Sequence, residues 1–315
     1  MHKELIPLNS ELRGDLQPSS FKGLCGVVVT YYPSGDVQQR LKTMAELVDK
    51  LVIIDNSADA EVLSTLTQIA DQHGALVIAN RKNLGVATAL NQGVAYAQKL
   101  SVEWVLFFDQ DSRPIGKFRQ ELHQVLSEYV GRRPLGIIGC NYIVAGKASI
   151  MFPIPLKQLA SYVHVNSVIT SGSMHRVEMF NKIGLFRDEY FIDLVDIEYC
   201  WRATRYGYAI LRTTEPLMEH AWGQVTEHTI LGYKVVTTNH SAFRRYFMAR
   251  NTVFLTREYF VVYPIKVIKI VFLRCMSTIL MCLLEKEKGK KFRYTASGLW
   301  HGLLGKTGAT PELFN

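Results

Sequence analysis

Four short runs of apolar, mostly β-branched residues recur in the first third of the chain, at residues 26–30 (GVVVT), 51–54 (LVII), 75–79 (ALVIA) and 104–108 (WVLFF). None alternates with polar residues as a strand with one wet face would, so each is predicted to lie inside a sheet covered on both sides. The stretches between them have helical spacing instead. Val37, Leu41, Met44 and Val48 recur at i, i+4, i+7 and i+11, with Asp36 placed to cap that helix and Gly74 placed to end the next. The order is βαβαβαβ, which predicts an α/β fold with a mostly parallel central sheet. Such sheets gather ligands at the carboxyl ends of their strands. Asp55, Asn83 and Asp109 all lie beyond strand ends and are expected to line one crevice.

The middle of the chain, from residue 136 to about 208, opens with another strand (GIIGC) and closes with a helix expected over roughly 194–206, stopped by Gly207. No repeat or low-complexity stretch interrupts it. Beyond residue 235 the character changes: 13 of the 36 Lys and Arg residues lie there against 4 of the 28 Asp and Glu, leaving 23 against 24 in the remainder. The basic surplus is therefore entirely C-terminal. Three regions are expected, a flexible tail at 1–22, an α/β domain at 23–235 and a C-terminal basic helical region at 236–315.

A basic module calls for an anionic partner. Residues 259–284 are strongly apolar, but Lys266, Lys269 and Arg274 interrupt them, and the longest uncharged run is the ten residues 275–284. That is short of the roughly 20 needed to span a bilayer. On a helical wheel the three charges occupy about 140°, leaving a wide apolar face, and the basic string EKEKGKKFR follows. An interfacial helix on an anionic membrane surface is expected; the competing reading is a helix packed on the α/β domain with its lysines in water. Nucleic acid is not expected as a partner, because a binding platform would interleave aromatic and basic residues. The five cysteines have no CxxC or CxxH spacing, so neither a disulfide framework nor a structural zinc site is expected.

The chemistry concentrates at FFDQDS, residues 107–112. Asp109 and Asp111 flank Gln110, and two carboxylates at short range repel by about 4 kcal/mol at an effective dielectric near 20. In an extended chain residues two apart face the same way, so both acids are expected to point into the crevice. A divalent cation, Mg²⁺ or Mn²⁺, would resolve the repulsion, taking its other ligands from substrate phosphates. The alternative is a solvated turn. Neither GxGxxG after the first strand nor GxxxxGK[ST] is present, so a metal is expected to do the phosphate cradling. The remaining strand ends are candidate nucleoside contacts: Thr30, Tyr31 and Tyr32 after the first strand, Asp55 after the second, Asn83 and Gly85 before the third helix. Asp55 suits a pyrimidine ring N–H; Asp55 and Asn83 serve equally well as turn or cap residues.

The ordered series VVVTYYP, IIDNS, NLGVATALNQGV, FFDQDS, TSGSM (170–174), GLFRDEYFIDLVDIEYCWRATRYGY and FRRYFMARN (243–251) resembles glycosyltransferase family 2, most closely its bacterial rhamnosyltransferases. The similarity runs from about residue 23 to 308. It implies a GT-A fold over 23–235, a nucleotide-sugar donor, a divalent metal on the DxD-type acids Asp109 and Asp111, and inversion at the anomeric carbon. For the nearest relatives it implies dTDP-L-rhamnose as donor, a saccharide or polyprenyl-linked saccharide as acceptor, and a role in surface polysaccharide such as O-antigen. Apart from the resemblance, the scattered cysteines and an N-terminus with no apolar core of signal-peptide length lead to the expectation of a reducing cytosol, with the basic helical region peripheral on the cytoplasmic face of the inner membrane.

Inversion requires a base for the attacking hydroxyl, contributing roughly 10²- to 10⁴-fold. The candidates lie in FIDLVDIEYCWR. Family members commonly have Glu-Asp where this chain has Val195-Asp196, so Asp196 matches the base and the preceding acid is missing. Asp193 is left as a rival base, an acceptor contact, or the N-cap of a capping box with Asp196; Glu198 is expected to be structural. By the same resemblance His220 stands where relatives carry a histidine near the metal, with packing as its plainer role. Arg244 and Arg250 are candidate diphosphate clamps or a basic helix surface. Ser171 and Gly172 are expected to shape the donor or acceptor floor.

Rival readings remain. A sugar-nucleotide pyrophosphorylase would carry a Gly-rich, Arg-bearing loop where this chain has TYYPSGD. A galactofuranose or hexose donor would use similar parts. The missing acid before Asp196 leaves open an inactive nucleotide-sugar-binding subunit.

Overall fold

The computed structural model describes residues 23–144, 150–153, 160–220, 226–230 and 233–308; the expected tail at 1–22 lies outside them. Chain contacts group the described residues into two compact units. The first holds 23–83, 89–185 and 199–220, and the second holds 84–88, 186–198 and the described residues from 226 on.

The first unit is built on the four apolar runs. They form β1 (Leu24–Thr30), β2 (Lys50–Asp55), β3 (Leu76–Ala79) and β4 (Trp104–Asp109), paired in parallel in the order β3-β2-β1-β4. Val28 lies between Ile53 and Phe108 in register, and all three side chains are buried. Full burial of one such side chain contributes about 1.5–3 kcal/mol, which is why these strands carry no polar alternation. Beyond β4 the sheet continues through β8 (Ser173–Arg176), antiparallel to both its neighbours, to β6 (Leu135–Val144) and the parallel β9 (Ala209–His220). The short strands β5 (Arg113–Pro114) and β7 (Tyr162–His164) pair antiparallel with β9. The sheet is thus mixed and mostly parallel, as expected.

The helices α1 (Val37–Leu47), α2 (Ala60–His73), α4 (Phe118–Glu128) and α5 (Val177–Ile183) belong to this unit. Helix α3 (Val86–Lys99) and helix α6 (Val195–Arg205) each have their first turn counted with the second unit. Leu41 and Met44 of the predicted stripe on α1 are buried. Asp36 does occupy the N-cap position, but its carboxylate makes no cap bond; it pairs with Arg40 and Arg113 instead. Gly74 ends α2 in the left-handed conformation, as expected, and Asp59 caps its start by accepting from the amides of Glu61 and Val62.

The second unit holds a hairpin, β10 (Thr226–Ile230) with β11 (Tyr233–Thr237), and three helices, α7 (Ala242–Tyr259), α8 (Pro264–Leu284) and α9 (Lys288–Leu303). Helix α7 is buried all round through its middle, polar residues included. Helix α9 reaches it through Gly298 and Gly302. A Cβ at Gly298 would stand 2.2 Å from the Tyr246 carbonyl, so only glycine permits this approach. Glu285, at the end of α8, accepts from Arg245 of α7 (2.9 Å) and Lys291 of α9 (2.7 Å), and all three side chains are buried. Residues 264–284 form one continuous helix with a window of mean hydropathy 2.2, of which 11% is buried. Counting uncharged runs was therefore too strict a limit: by length and composition alone α8 is long enough to cross a membrane.

Removing one member of a buried ion cluster strands the others. Glu285→Gln should therefore lower the unfolding free energy by about 3 kcal/mol in urea titrations. An unchanged midpoint would show that water screens the cluster.

Candidate active site

At the carboxyl end of β1, the buried Thr30 hydroxyl donates to Oδ1 of Asp55, its register partner on β2, at 2.8 Å. The Ser57 hydroxyl donates to the same oxygen, also at 2.8 Å, and itself accepts from the Tyr32 amide. Two donors on one oxygen orient the carboxylate and leave Oδ2 without a partner among the described residues. Tyr31 and Tyr32 stand beside it, 49% and 46% exposed, edge to face with ring centroids 4.8 Å apart. A fixed acceptor next to exposed aromatic surface suits a planar heterocycle bearing an N–H.

The end of β4 is not extended past Asp109. The Ser112 amide donates to the Asp109 carbonyl (3.0 Å) while the Asp109 amide donates to the Ser112 hydroxyl (2.8 Å), closing residues 109–112 into a tight turn. The expectation that extended geometry would point both acids together is thus corrected. Several groups hold the turn. The Gln110 side chain accepts from the Tyr31 amide at 2.7 Å, and its carbonyl accepts from Nε of the buried Arg40 at 2.7 Å. Ser112 and Ser171 share a hydroxyl–hydroxyl bond of 2.5 Å, and Tyr142 donates to the Ser171 carbonyl. Ser171 is buried beneath the turn, a brace rather than an open contact. Gly172 follows at φ +67, where a Cβ would meet Met218 at 2.8 Å.

Asp109 and Asp111 are both exposed, and the Asp111 carboxylate has no partner among the described residues. No group of three or more His, Cys, Asp or Glu there is arranged to hold a metal. A cation held by one or two carboxylates would complete its shell with water and phosphate. The side chain of His220 lies outside the described residues. The backbone of β9 brings its position beside the turn, since the preceding Glu219 pairs with Arg113.

The second unit contains the other acids. Phe191, Asp193 and Leu194 all have positive φ, at 60°, 73° and 62°. Each costs about 1–3 kcal/mol for a non-glycine residue and persists only where surroundings fix it. Here the buried Asn251 places its side-chain amide within 2.8–2.9 Å of the Tyr190, Ile192 and Asp193 carbonyls. The Phe191 carbonyl accepts from the Val86 amide at 2.6 Å, and its ring stacks on Phe247 with centroids 4.7 Å apart. Gly85 at φ +87 lies against the same ring, and a Cβ there would stand 2.6 Å from it. Arg250 is fully buried, donating to the Glu189 and Gly308 carbonyls with its guanidinium 4.6 Å from the Phe247 ring. Gly85 and Arg250, expected as donor contacts, are thus packed into the support of this loop. Arg244 is exposed at the start of α7, and Asn83 is half-buried ahead of α3.

Asp193 does not cap α6. Its Oδ2 accepts from Arg274 of α8 at 2.6 Å, and its Oδ1 takes no partner among the described residues. Asp196 lies in the first turn of α6, where Oδ1 accepts from the Ile197 amide (2.8 Å). Burial pushes its carboxyl up to about 6; the Asp193 charge adds to this, while the Ile197 amide and Arg274 pull the other way. Glu198, expected to be structural, is buried, accepts from the Tyr259 hydroxyl at 2.9 Å and faces Arg187 at 3.2 Å. Sequence reasoning missed Arg40, Asn251 and Arg274. A polar Asn inside a helix, as in FRRYFMARN, disfavours the helix unless its amide is used elsewhere, and that was the available signal for Asn251.

An α/β sheet with exposed acids at the end of its fourth strand, and a doubly hydrogen-bonded carboxylate beside exposed tyrosines at the end of its first two, is the arrangement of a GT-A glycosyltransferase. The chain is a member of glycosyl transferase family 2, whose domain matches residues 27–184. It is 30% identical over 301 residues to the dTDP-rhamnosyl transferase RfbF of Shigella flexneri, a match covering 90% of this chain and 96% of that protein. Among solved structures it resembles the mannosyltransferase PcManGT from Pyrobaculum calidifontis in complex with GDP-Man and Mn²⁺ (TM-score 0.52, 14% identity, 94% of this chain, 78% of that one). It also resembles GalNAc-T7 with UDP, GalNAc and Mn²⁺ (TM-score 0.51, 14% identity, 67% of this chain), of which it spans 44%. At such identities the likeness concerns the fold alone.

Proposed function

We propose that this chain is an inverting, metal-dependent transferase that moves L-rhamnose from dTDP-L-rhamnose to a hydroxyl of a saccharide or polyprenyl-linked saccharide in bacterial surface polysaccharide synthesis. The observation that carries the catalytic reading is Asp196, a half-buried carboxyl pushed up to about 6, the range a base working near neutral pH requires. The donor assignment rests on the nearly full-length similarity to a dTDP-rhamnosyl transferase.

In this reading Asp55 accepts the ring N–H of the pyrimidine, held in place by Thr30 and Ser57, while Tyr31 and Tyr32 supply apolar surface. Asp111, with Asp109, would hold Mg²⁺ or Mn²⁺, and His220 is a further candidate ligand. When bound, such an ion neutralises charge building on the departing diphosphate. Arg244 is free to contact the diphosphate. Asp196 takes the proton of the acceptor hydroxyl as its oxygen bonds to the anomeric carbon opposite the leaving group. Asp193 uses its open Oδ1 as a contact for the acceptor. Asp196 is favoured over Asp193 as base because Arg274 already occupies an Asp193 oxygen.

The membrane surface is the further partner proposed. Ile265, Ile268, Phe272, Met276, Ile279 and Leu283 recur every three or four residues along α8 and are all exposed. The opposite side of the helix buries Val267 and Met281. With Lys288, Lys290 and Arg293 exposed on α9, this apolar stripe suits an anionic lipid surface on the cytoplasmic side.

A panel of nucleotide sugars with Mn²⁺ or Mg²⁺, scored for nucleoside diphosphate release, should single out dTDP-L-rhamnose. Chelation or Asp111→Ala should abolish turnover; full activity in chelator would refute the metal, preference for another donor would replace the sugar, and no turnover of any donor would leave a binding subunit. The base must be unprotonated to act, so kcat/KM should fall tenfold per pH unit below about 6, and Asp196→Asn should lose roughly 10²- to 10⁴-fold while still binding donor. An acid limb near 4 would reassign the base. Phe272→Glu with Ile279→Glu should release the protein from phosphatidylglycerol vesicles in co-sedimentation, and retained binding would remove the lipid reading.

A further inference from the structure

Helix α8 carries one residue that its apolar character does not explain. Arg274 sits seven residues after Val267 and seven before Met281, so it shares the stripe that those buried side chains define. A charge on that stripe is costly unless it is paired. Its pair is Asp193, at 2.6 Å, with the arginine side chain 27% and the aspartate 11% exposed.

The surroundings leave Asp193 as the anion for this guanidinium. Toward α7, Arg274 is near His240 and Arg245. Burial, helped by Arg244, Arg245 and Arg274, holds His240 down to about 4, so it is uncharged at neutral pH. Arg245 is already matched by Glu285 and bonds the Ser277 hydroxyl at 2.8 Å. Toward α6, the charged groups acting on Asp196 are Asp193 and Arg274. Asp193 is thus held twice, its carbonyl by Asn251 and its carboxylate by Arg274, in a left-handed backbone that would not persist unaided.

We infer that Arg274 is a positioning residue for the transfer step: by binding the Asp193 carboxylate it cancels the charge beside Asp196 and fixes the loop from which Asp196 accepts the proton. This rests on the reading of Asp196 as the base. Without the guanidinium, a half-buried Asp193 would act on Asp196 uncompensated, and a like charge beside a carboxyl raises its proton affinity.

The test is the pH profile of kcat/KM in three variants. Arg274→Gln should move the acid limb up by about one unit. Arg274→Lys, which keeps the charge, should restore the wild-type limb. Arg274→Gln combined with Asp193→Asn should bring the limb back down, because it removes both charges, whatever the loss in absolute rate. For a variant too slow to profile, the Asp196 titration followed by NMR of ¹³C-carboxyl aspartate should show the same displacement. A limb or titration unmoved in Arg274→Gln, or unmoved by the second substitution, would overturn the inference. Normal transfer by Asp196→Asn would instead sink the base assignment, so the two failures are distinguishable.

Discussion

The catalytic reading depends on the grip of one amide on a strained loop. Asn251 has two N–H groups to share among three carbonyls, those of Tyr190, Ile192 and Asp193. Each bond contributes about 1 kcal/mol net, against about 1–3 kcal/mol for each left-handed residue it restrains. The amide alone does not offset three such residues. The stacking of Phe191 on Phe247 and the carbonyl bonds of Arg250 supply the rest, and Gly85 makes room for the ring. A loop held this way presents Asp193 and Asp196 in one arrangement, which a general base requires.

What the sequence disclosed and what it hid follow from the range of the interactions. Buried parallel strands are apolar at every position, so β1 to β4 were legible to within a residue or two, and Gly74 marked the end of α2. Cap and turn chemistry was less legible because a carboxylate goes to its strongest partner. Asp36 turns to Arg40 and Arg113, and Asp193 to an arginine 81 residues away, though each occupies a position that local rules assign to a helix start. The Asp109–Asp111 spacing cannot act through extended geometry for a related reason: Ser112 folds the chain back with both its amide and its hydroxyl, so the period of two does not apply there. Gly85 and Arg250 matched donor-site motifs, yet they support the loop. A motif records which residues recur together without saying whether they touch the ligand or one another.

Helix α8 shows why counting charges along a sequence misjudges a helix with two sides. Lys266 lies 4.4 Å from the Tyr263 ring and Arg274 is drawn onto the buried stripe, so neither interrupts the outer row of Ile265, Ile268, Phe272, Met276, Ile279 and Leu283. Composition saw three breaks in an apolar run. The fold places at least one of them on the face that carries no lipid-like surface.

The two acid pairs of this chain meet the same electrostatic problem in opposite ways. Asp109 and Asp111 stay exposed on a turn, where water screens them to about 1 kcal/mol at close range and, in the proposed mechanism, a cation would come and go with its phosphate ligand. Asp193 and Asp196 are half-buried, where the same repulsion is larger than in open water. A counter-charge must then be built into the fold, and Arg274 supplies it. In the proposed mechanism the first pair would need to stay open to an incoming cation, whereas the base would need a permanent partner that leaves its proton affinity near the working pH.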